Sequence, residues 1–205
     1  MQKWIYRDIQ FKDYNEVEKL LDEMEHFKRI TPNDQVRKRV IAVYLRSCLE
    51  ESTFTKIVTY QGKTIGIICG RYNKQLKKTA FTPYTCGLLR RLIALHLLKE
   101  GRKAIKGYRQ YAHEYENLIG DKAKSFDGEL TLLLVHQTYR KLGIGKELFD
   151  EFINYMEQMH AKNFYLITDS TCKYSFYEKH DCRKIAQQKV FLGKDIEIYL
   201  YEKKV

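Results

Sequence analysis

Proline is nearly absent from this chain, with 2 residues in 205, and no Ser- or Gly-rich tract occurs. Linkers and disordered segments draw on those residues, so their scarcity argues for one domain, 1–205, with an insertion at most. Long hydrophobic runs are missing too. The longest apolar stretch, 88–98, is broken by Arg90, Arg91 and His96, which makes it too short and too charged to span a bilayer. The opening MQKWIYRDIQ lacks the apolar centre of a secretory signal. The 5 cysteines are scattered, odd in number and without a C-x-x-C, which fits reduced thiols in a cytoplasm. No His/Cys/Asp/Glu spacing matches a metal site, and no repeat is visible. These absences leave a cytoplasmic protein with no membrane segment and no metal as the expectation.

What the chain has in quantity is charge. Lys and Arg number 37 against 26 acidic residues, a net +11. Such an excess either attracts an anion or is a solvated lysine-rich surface. No Lys/Arg run exceeds three residues, and Arg37-Lys38-Arg39 falls on an expected helix. Nucleic acid is therefore not the expected partner.

Periodicity orders the rest. Residues 4–11 alternate as a first strand, after which Asp13 is placed to cap a helix with Glu16 at the capping-box position. Tyr14, Val17, Leu20, Leu21, Met24 and Phe27 then recur at helical spacing. A second helix is expected over 34–50, and Gln61-Gly62 joins strands 54–60 and 63–72 as a hairpin. Residues 73–127 read as an insertion of two helices, 86–99 and 102–119, separated by Gly101. This segment is either a cap over the active site or a packing or dimer element, and a homodimer is one assembly it allows. Further strands are expected over 130–135, 163–168, 184–190 and 196–201, the last two as a hairpin around Gly193. Between them lie helices 143–160 and 174–179. The class is α/β, a mixed sheet of about six to seven strands flanked by helices, with a parallel crossover around a glycine turn.

That turn carries the chemistry. Arg140-Lys141-Leu142-Gly143-Ile144-Gly145 follows an apolar strand and opens an amphipathic helix. Bare N–H groups and the dipole at a helix N-terminus favour an anion, and residues without Cβ let a phosphate approach the main chain. A P-loop is excluded because Arg140 stands where its first glycine belongs and Glu147 where its Ser or Thr belongs. A dinucleotide fingerprint is excluded because Leu148 holds the third glycine's place.

The remaining Arg-x-x-Gly-x-Gly, together with Tyr174-Ser175-Phe176-Tyr177-Glu178-Lys179, resembles the acetyl-CoA signature and the tyrosine helix of the GNAT family of N-acetyltransferases. The resemblance spans the whole order of elements, and its specific part is residues 129–182. It implies the GNAT fold and direct transfer of an acetyl group from acetyl-CoA to a primary amine, either a small molecule or a protein amine. It implies that Leu134 and Val135 contact the pantetheine arm and that Val135 polarises the thioester. Main-chain donors of Leu142, Gly143, Ile144, Gly145 and Lys146 would hold the pyrophosphate, with Arg140 and Lys141 at its rim. Tyr177 would protonate the departing thiolate, and Glu129 would be the carboxylate placed to act as base, with Asp127 behind it. Glu114 and Glu116 are further candidates for contacting a cationic amine.

The chain departs from the family pattern at two places. Ser170 stands for an asparagine that contacts the cofactor, so Ser170 or Thr171 takes that contact, and Asp181-Cys182 replaces Gly-Phe. His136 is expected to be a structural turn residue, Cys172 a packed thiol and Phe176 core. The other class the residues allow is a catalytically silent acyl-CoA-binding or nucleic-acid-associated protein of the same fold.

Overall fold

The computed structural model describes residues 4–75, 83–172, 174–191 and 195–205. In chain order its elements are β1 (Ile5–Arg7), α1 (Tyr14–Asp22), α2 (Glu25–Ile30), α3 (Asp34–Glu50), β2 (Phe54–Tyr60), β3 (Lys63–Tyr72), α4 (Pro83–Leu97) and α5 (Lys99–Ile119). Then follow β4 (Gly128–Val135), α6 (Ile144–Gln158), β5 (Asn163–Asp169), α7 (Ser175–Glu178), β6 (Arg183–Phe191) and β7 (Asp195–Lys204). Gly193, expected at the last turn, lies outside the described residues. Among those residues no helix is long and apolar enough to cross a membrane, and no three His, Cys, Asp or Glu side chains gather as a metal-binding group.

The expected elements form, with shifted ends where side chains compete. The first strand stops at Arg7 instead of reaching residue 11. Asp13 grips the Arg7 guanidinium in a two-point ion pair of 2.6 and 2.8 Å and accepts from Gln10 N at 2.8 Å. Engaged there, Asp13 does not cap α1, and Glu16 pairs with Lys19 at 2.6 Å instead of closing a capping box. Asn33 caps α3 by accepting from Val36 N at 3.1 Å. The break in the insertion falls at Leu98, one turn before Gly101. Gly101 sits inside α5, where a Cβ would lie 2.1 Å from the Leu95 carbonyl oxygen, so glycine lets the two helices meet.

The strands form one sheet in the order β1-β2-β3-β4-β5-β7-β6, antiparallel except for the central β4–β5 pair. Alternation splits the core in two. Ile57, Ile67, Cys69 and Leu132 face α1, α3 and α5, whereas Val58, Ile68, Leu130 and Phe164 face α6. α6 buries Ile144, Leu148, Phe149, Phe152 and Met156, each contributing about 1.5–3 kcal/mol. A third cluster joins Leu118, Ile119 and Phe126 to Ile196, Ile198 and Leu200, so the insertion belongs to the core.

The sheet is not closed at its centre. β4 pairs with β5 only from Gly128↔Phe164 to Leu130↔Leu166. Beyond that, β4 runs on to Val135 held by β3, and β5 runs on to Asp169 held by β7. Where the strands separate, Thr131 is an extra residue, since the register jumps from Cys69↔Leu132 to Gly70↔Leu130. Its hydroxyl donates to the Cys69 carbonyl at 2.9 Å. The strands therefore splay into a wedge.

The root of the wedge is clamped. A Cβ on Gly70 would stand 2.3 Å from the Phe152 ring, and one on Gly128 2.5 Å from Met156. Gly70→Ala should cost about 1–3 kcal/mol, read as a lowered urea midpoint at unchanged m-value. An unmoved midpoint would show that α6 does not press on the sheet there.

Candidate active site

The glycine turn begins where β4 ends. His136 N donates to the Ile65 carbonyl at 2.8 Å, which makes Gly66↔Val135 a pair without mutual hydrogen bonds. The Val135 N–H and C=O thus point away from β3, toward the wedge. The carbonyl confirms this direction by accepting from Arg140 Nε at 3.0 Å. Two residues back in the same register, Leu133 shows the same edge. Leu134, between them, pairs with Ile67 and packs its side chain on the core beside α1 and α3.

The turn itself is built on positive φ, Lys141 at +66° and Gly143 at +87°. Gly143 is the N-cap of α6 and supplies no side-chain cap, so the N–H groups of Ile144, Gly145 and Lys146 have no intrahelical acceptor. Ile144 is buried and fixes the helix start, while Leu142 stays exposed. Lys146 pairs along the helix with Asp150 at 2.5 Å. A Cβ on Gly145 would meet only ordinary contacts, 3.7 Å to Val135 and 3.8 Å to Phe176. Packing does not demand glycine there, so the bare surface is available to a ligand.

Tyr177 lies between Phe149, Phe176 and Tyr201, with centroids 6.2, 5.3 and 6.0 Å away. Its hydroxyl has no hydrogen-bond partner among the described residues, and burial pushes its pKa well above that of a free phenol. Phe176 packs on Phe149 and His180, partly buried as core. The Asp181-Cys182 corner keeps a glycine-like turn: Asp181 takes φ +57°, and Cys182 N donates to the Tyr177 carbonyl at 3.0 Å.

Glu129 sits at the root of the wedge, six residues before Val135 and about 20 Å from it along the strand. Its carboxylate meets Arg71 at 2.5 Å and accepts from the Tyr165 hydroxyl at 2.7 Å. Burial raises its pKa, and the Arg71 guanidinium and the Tyr165 bond pull it back. Asp127 accepts from Lys162 N at 2.7 Å and belongs to a turn. Ser170 bridges β5 to β7, donating its N–H to the Glu197 carbonyl and accepting from Glu197 N, 2.8 and 3.1 Å. His136 is a turn residue, accepting from Thr138 N at 3.2 Å and pairing with Glu23 at 3.1 Å. Glu114 accepts from Gln188 at 3.0 Å, and Glu116 is exposed. Cys172, expected to be packed, is exposed instead because it lies in the loop after β5.

Residues no motif pointed to complete the surroundings. α5 lies across the splay on the side away from α6. Its Tyr111 hydroxyl donates to Asp169 at 2.6 Å, and its ring meets His26 of α2 at 4.2 Å. Desolvation pulls the His26 pKa down to about 4. A helical tyrosine, a helical histidine and a strand-end aspartate carry no local signature, so nothing in their sequence neighbourhood marks them.

A mixed sheet whose central parallel pair splays beside a glycine-rich helix start is the GNAT fold. The chain belongs to the acetyltransferase (GNAT) family, whose model matches residues 17–182. Solved structures agree on the fold. A mosquito arylalkylamine N-acetyltransferase like 5b is 12% identical over 99% of this chain and 100% of its own, with a TM-score of 0.61. An N-acetyltransferase of Staphylococcus aureus Mu50 is 12% identical over 98% of each chain, TM-score 0.57. The ribosomal-protein-S18-alanine N-acetyltransferase of Escherichia coli is 10% identical over 99% of this chain and 94% of its own, TM-score 0.56. No curated sequence matches.

His26 gives the site a pH signature. Its folded pKa lies below the ordinary 6.5, so the unfolded chain binds a proton that the folded one refuses between pH 6.5 and about 4. Stability is full above pH 6.5 and falls as pH drops through that window. His26→Gln should remove about one proton from the slope of unfolding free energy against pH there. Identical slopes in denaturant titrations would show that His26 is not desolvated.

Proposed function

We propose that this protein transfers an acetyl group from acetyl-CoA directly to a primary amine, in a cytoplasmic setting that the free thiols of Cys48, Cys69, Cys172 and Cys182 suit. The observation that carries the reading is the wedge between β4 and β5, ending at bare helix N–H groups. A pantetheine arm is a narrow chain of amides, and it needs an unpaired strand edge to bond. The N–H groups of Leu133 and Val135 and the Leu133 carbonyl offer one, beside Leu134, while the Val135 carbonyl is taken by Arg140 Nε. A pyrophosphate needs donors without counter-charge of their own, and the main chain at Leu142, Gly143, Ile144, Gly145 and Lys146 supplies them. Arg140 and Lys141 add positive charge at the rim. The net charge of +11 favours the approach of such an anionic donor. The Ser170 hydroxyl is engaged by Glu197 N of β7, so a cofactor contact from Ser170 would have to displace that bond.

The chemistry follows from positioning. The neutral amine attacks the thioester carbonyl, forming the C–N bond. The carbonyl oxygen gathers charge and is held by an outward N–H of β4, from Val135 or Leu133. Collapse breaks the C–S bond, and Tyr177 gives its proton to the leaving thiolate. Its phenol remains protonated at neutral pH because burial raises its pKa. The amine's own proton passes by water to Glu129, whose raised pKa suits a base. The water is required because that carboxylate lies at the root of the wedge.

Two outcomes test this reading. Tyr177→Phe should lower kcat by about 10²-fold while CoA affinity by calorimetry stays within about threefold; unchanged thiol release would remove Tyr177 from the mechanism. Gly145→Val should keep its melting point within a few degrees yet weaken CoA binding about tenfold or more, because a branched side chain covers the bare donors. CoA binding with no thiol released on any amine would make the protein a silent binder.

A further inference from the structure

The helix α4 is apolar on two opposite faces. Leu95 is buried and Leu92 half-buried on the side where the helix packs on α3. On the other side Leu89, Ile93 and Leu97 recur every four residues and are 55, 54 and 76% exposed. At about 100° per residue they share an arc of about 80°. Arg90 borders that arc on one side and His96 on the other. Leu98, exposed at the elbow between α4 and α5, extends the stripe. A surface helix turns one apolar stripe toward the core, so a second one is surface that needs a partner.

The charge around this stripe has one sign. Residues 83–110 hold 7 Lys and Arg against 1 acidic residue, Glu100, a net +6 in a chain of +11. Glu100 is itself engaged, accepting from Asn33 Nδ2 at 2.5 Å. Among the described residues none of Arg90, Lys99, Arg102 and Lys103 forms an ion pair. Arg102 is fixed at the end of the stripe, where its Nη1 donates to the His96 and Leu97 carbonyls at 2.9 and 3.5 Å.

We infer that this face of α4 docks the protein on a lipid surface carrying anionic headgroups. Aliphatic side chains on one helix face enter the boundary between headgroups and acyl chains, and cations at its margins meet the phosphates. Long stems let Arg90 and Lys99 keep their charge at headgroup level while Leu89, Ile93 and Leu97 go deeper. Other occupants fit less well. A second copy of the chain would set the same +6 against itself. A partner helix seats its anchors in a groove, whereas Leu97, three-quarters exposed, projects from the surface. A nucleic-acid backbone would satisfy the cations but leave the stripe wet, and Leu89, Ile93 and Leu97 offer no ring on which a base could stack. Leu95 of α4 packs with α1 and α3 on one side of the sheet, and α6 packs on the other. Docking through α4 therefore leaves the start of α6 free.

Flotation of the full chain with vesicles of phosphatidylglycerol and phosphatidylcholine in equal parts, against phosphatidylcholine alone, tests the inference. The mixed vesicles should bind about tenfold or more tightly, and salt should shrink the difference by screening the headgroups. Ile93→Asp should weaken mixed-vesicle binding about tenfold or more, because it puts a carboxylate into the apolar boundary. Its melting point should stay near that of the wild type, since the site is exposed. If that variant fails to fold, Lys99→Gln with Lys103→Gln should lower mixed-vesicle binding about threefold or more. Equal binding to the two vesicles, binding to neither, or mixed-vesicle binding that these substitutions leave unaltered overturns the inference. So does a wild-type dimer in sedimentation that Ile93→Asp splits, which would give the face to a second copy.

Discussion

Everything at this site depends on one restriction: β4 and β5 share only three paired positions before they separate. A strand cannot leave its inner-edge donors and acceptors unpaired in a dry interior without a cost of the order of a lost hydrogen bond each. Here each strand is secured along its outer edge, by β3 and by β7, so the inner edges can face a ligand. The bulge at Thr131 turns β4 away, and Gly70 and Gly128 let α6 press the root shut. The splay is therefore a built feature with its own supports, and the glycine turn is positioned by it.

The insertion packs beside that wedge. Leu118 and Ile119 tie the end of α5 to the β6–β7 face, and Ala104 ties its start to the α1–α3 cluster. Between those anchors Tyr111 spans the opening to Asp169. Cap and packing element were alternatives in the sequence, and the buried anchors show α5 as a packing element, because a helix crossing the sheet must bury one face. A protein with net +11 charge thus encloses a small acidic, aromatic-walled corner.

Some departures from expectation share a cause. Capping chemistry points Asp13 at a helix start, but a guanidinium six residues upstream offers two charged hydrogen bonds and outcompetes a single backbone N–H. Glycine's weak helix propensity puts a break at Gly101, but its missing side chain instead serves the close approach of α4 to α5. In each case a local rule was sound and a tertiary neighbour overrode it. The loss of the family's glycine at Asp181 shows the reverse, since aspartate adopts the same φ and the turn survives.

The sequence by itself determined the order of elements, the hairpin at Gln61-Gly62, the buried face of α6 and the glycine turn with its bare N–H groups. All of these are local: periodicity and a run of main-chain donors are complete within some twenty residues. Only the tertiary structure decided that Val135 and Leu133 turn their N–H groups inward, because that depends on register against β3 and on a bulge no motif announces. It alone brought His26, Tyr111 and Asp169 together, since contacts between residues 26, 111 and 169 are set by how helices cross a splayed sheet. The glycine turn is written in contiguous backbone, whereas contacts between residues far apart in the chain exist only once it has folded.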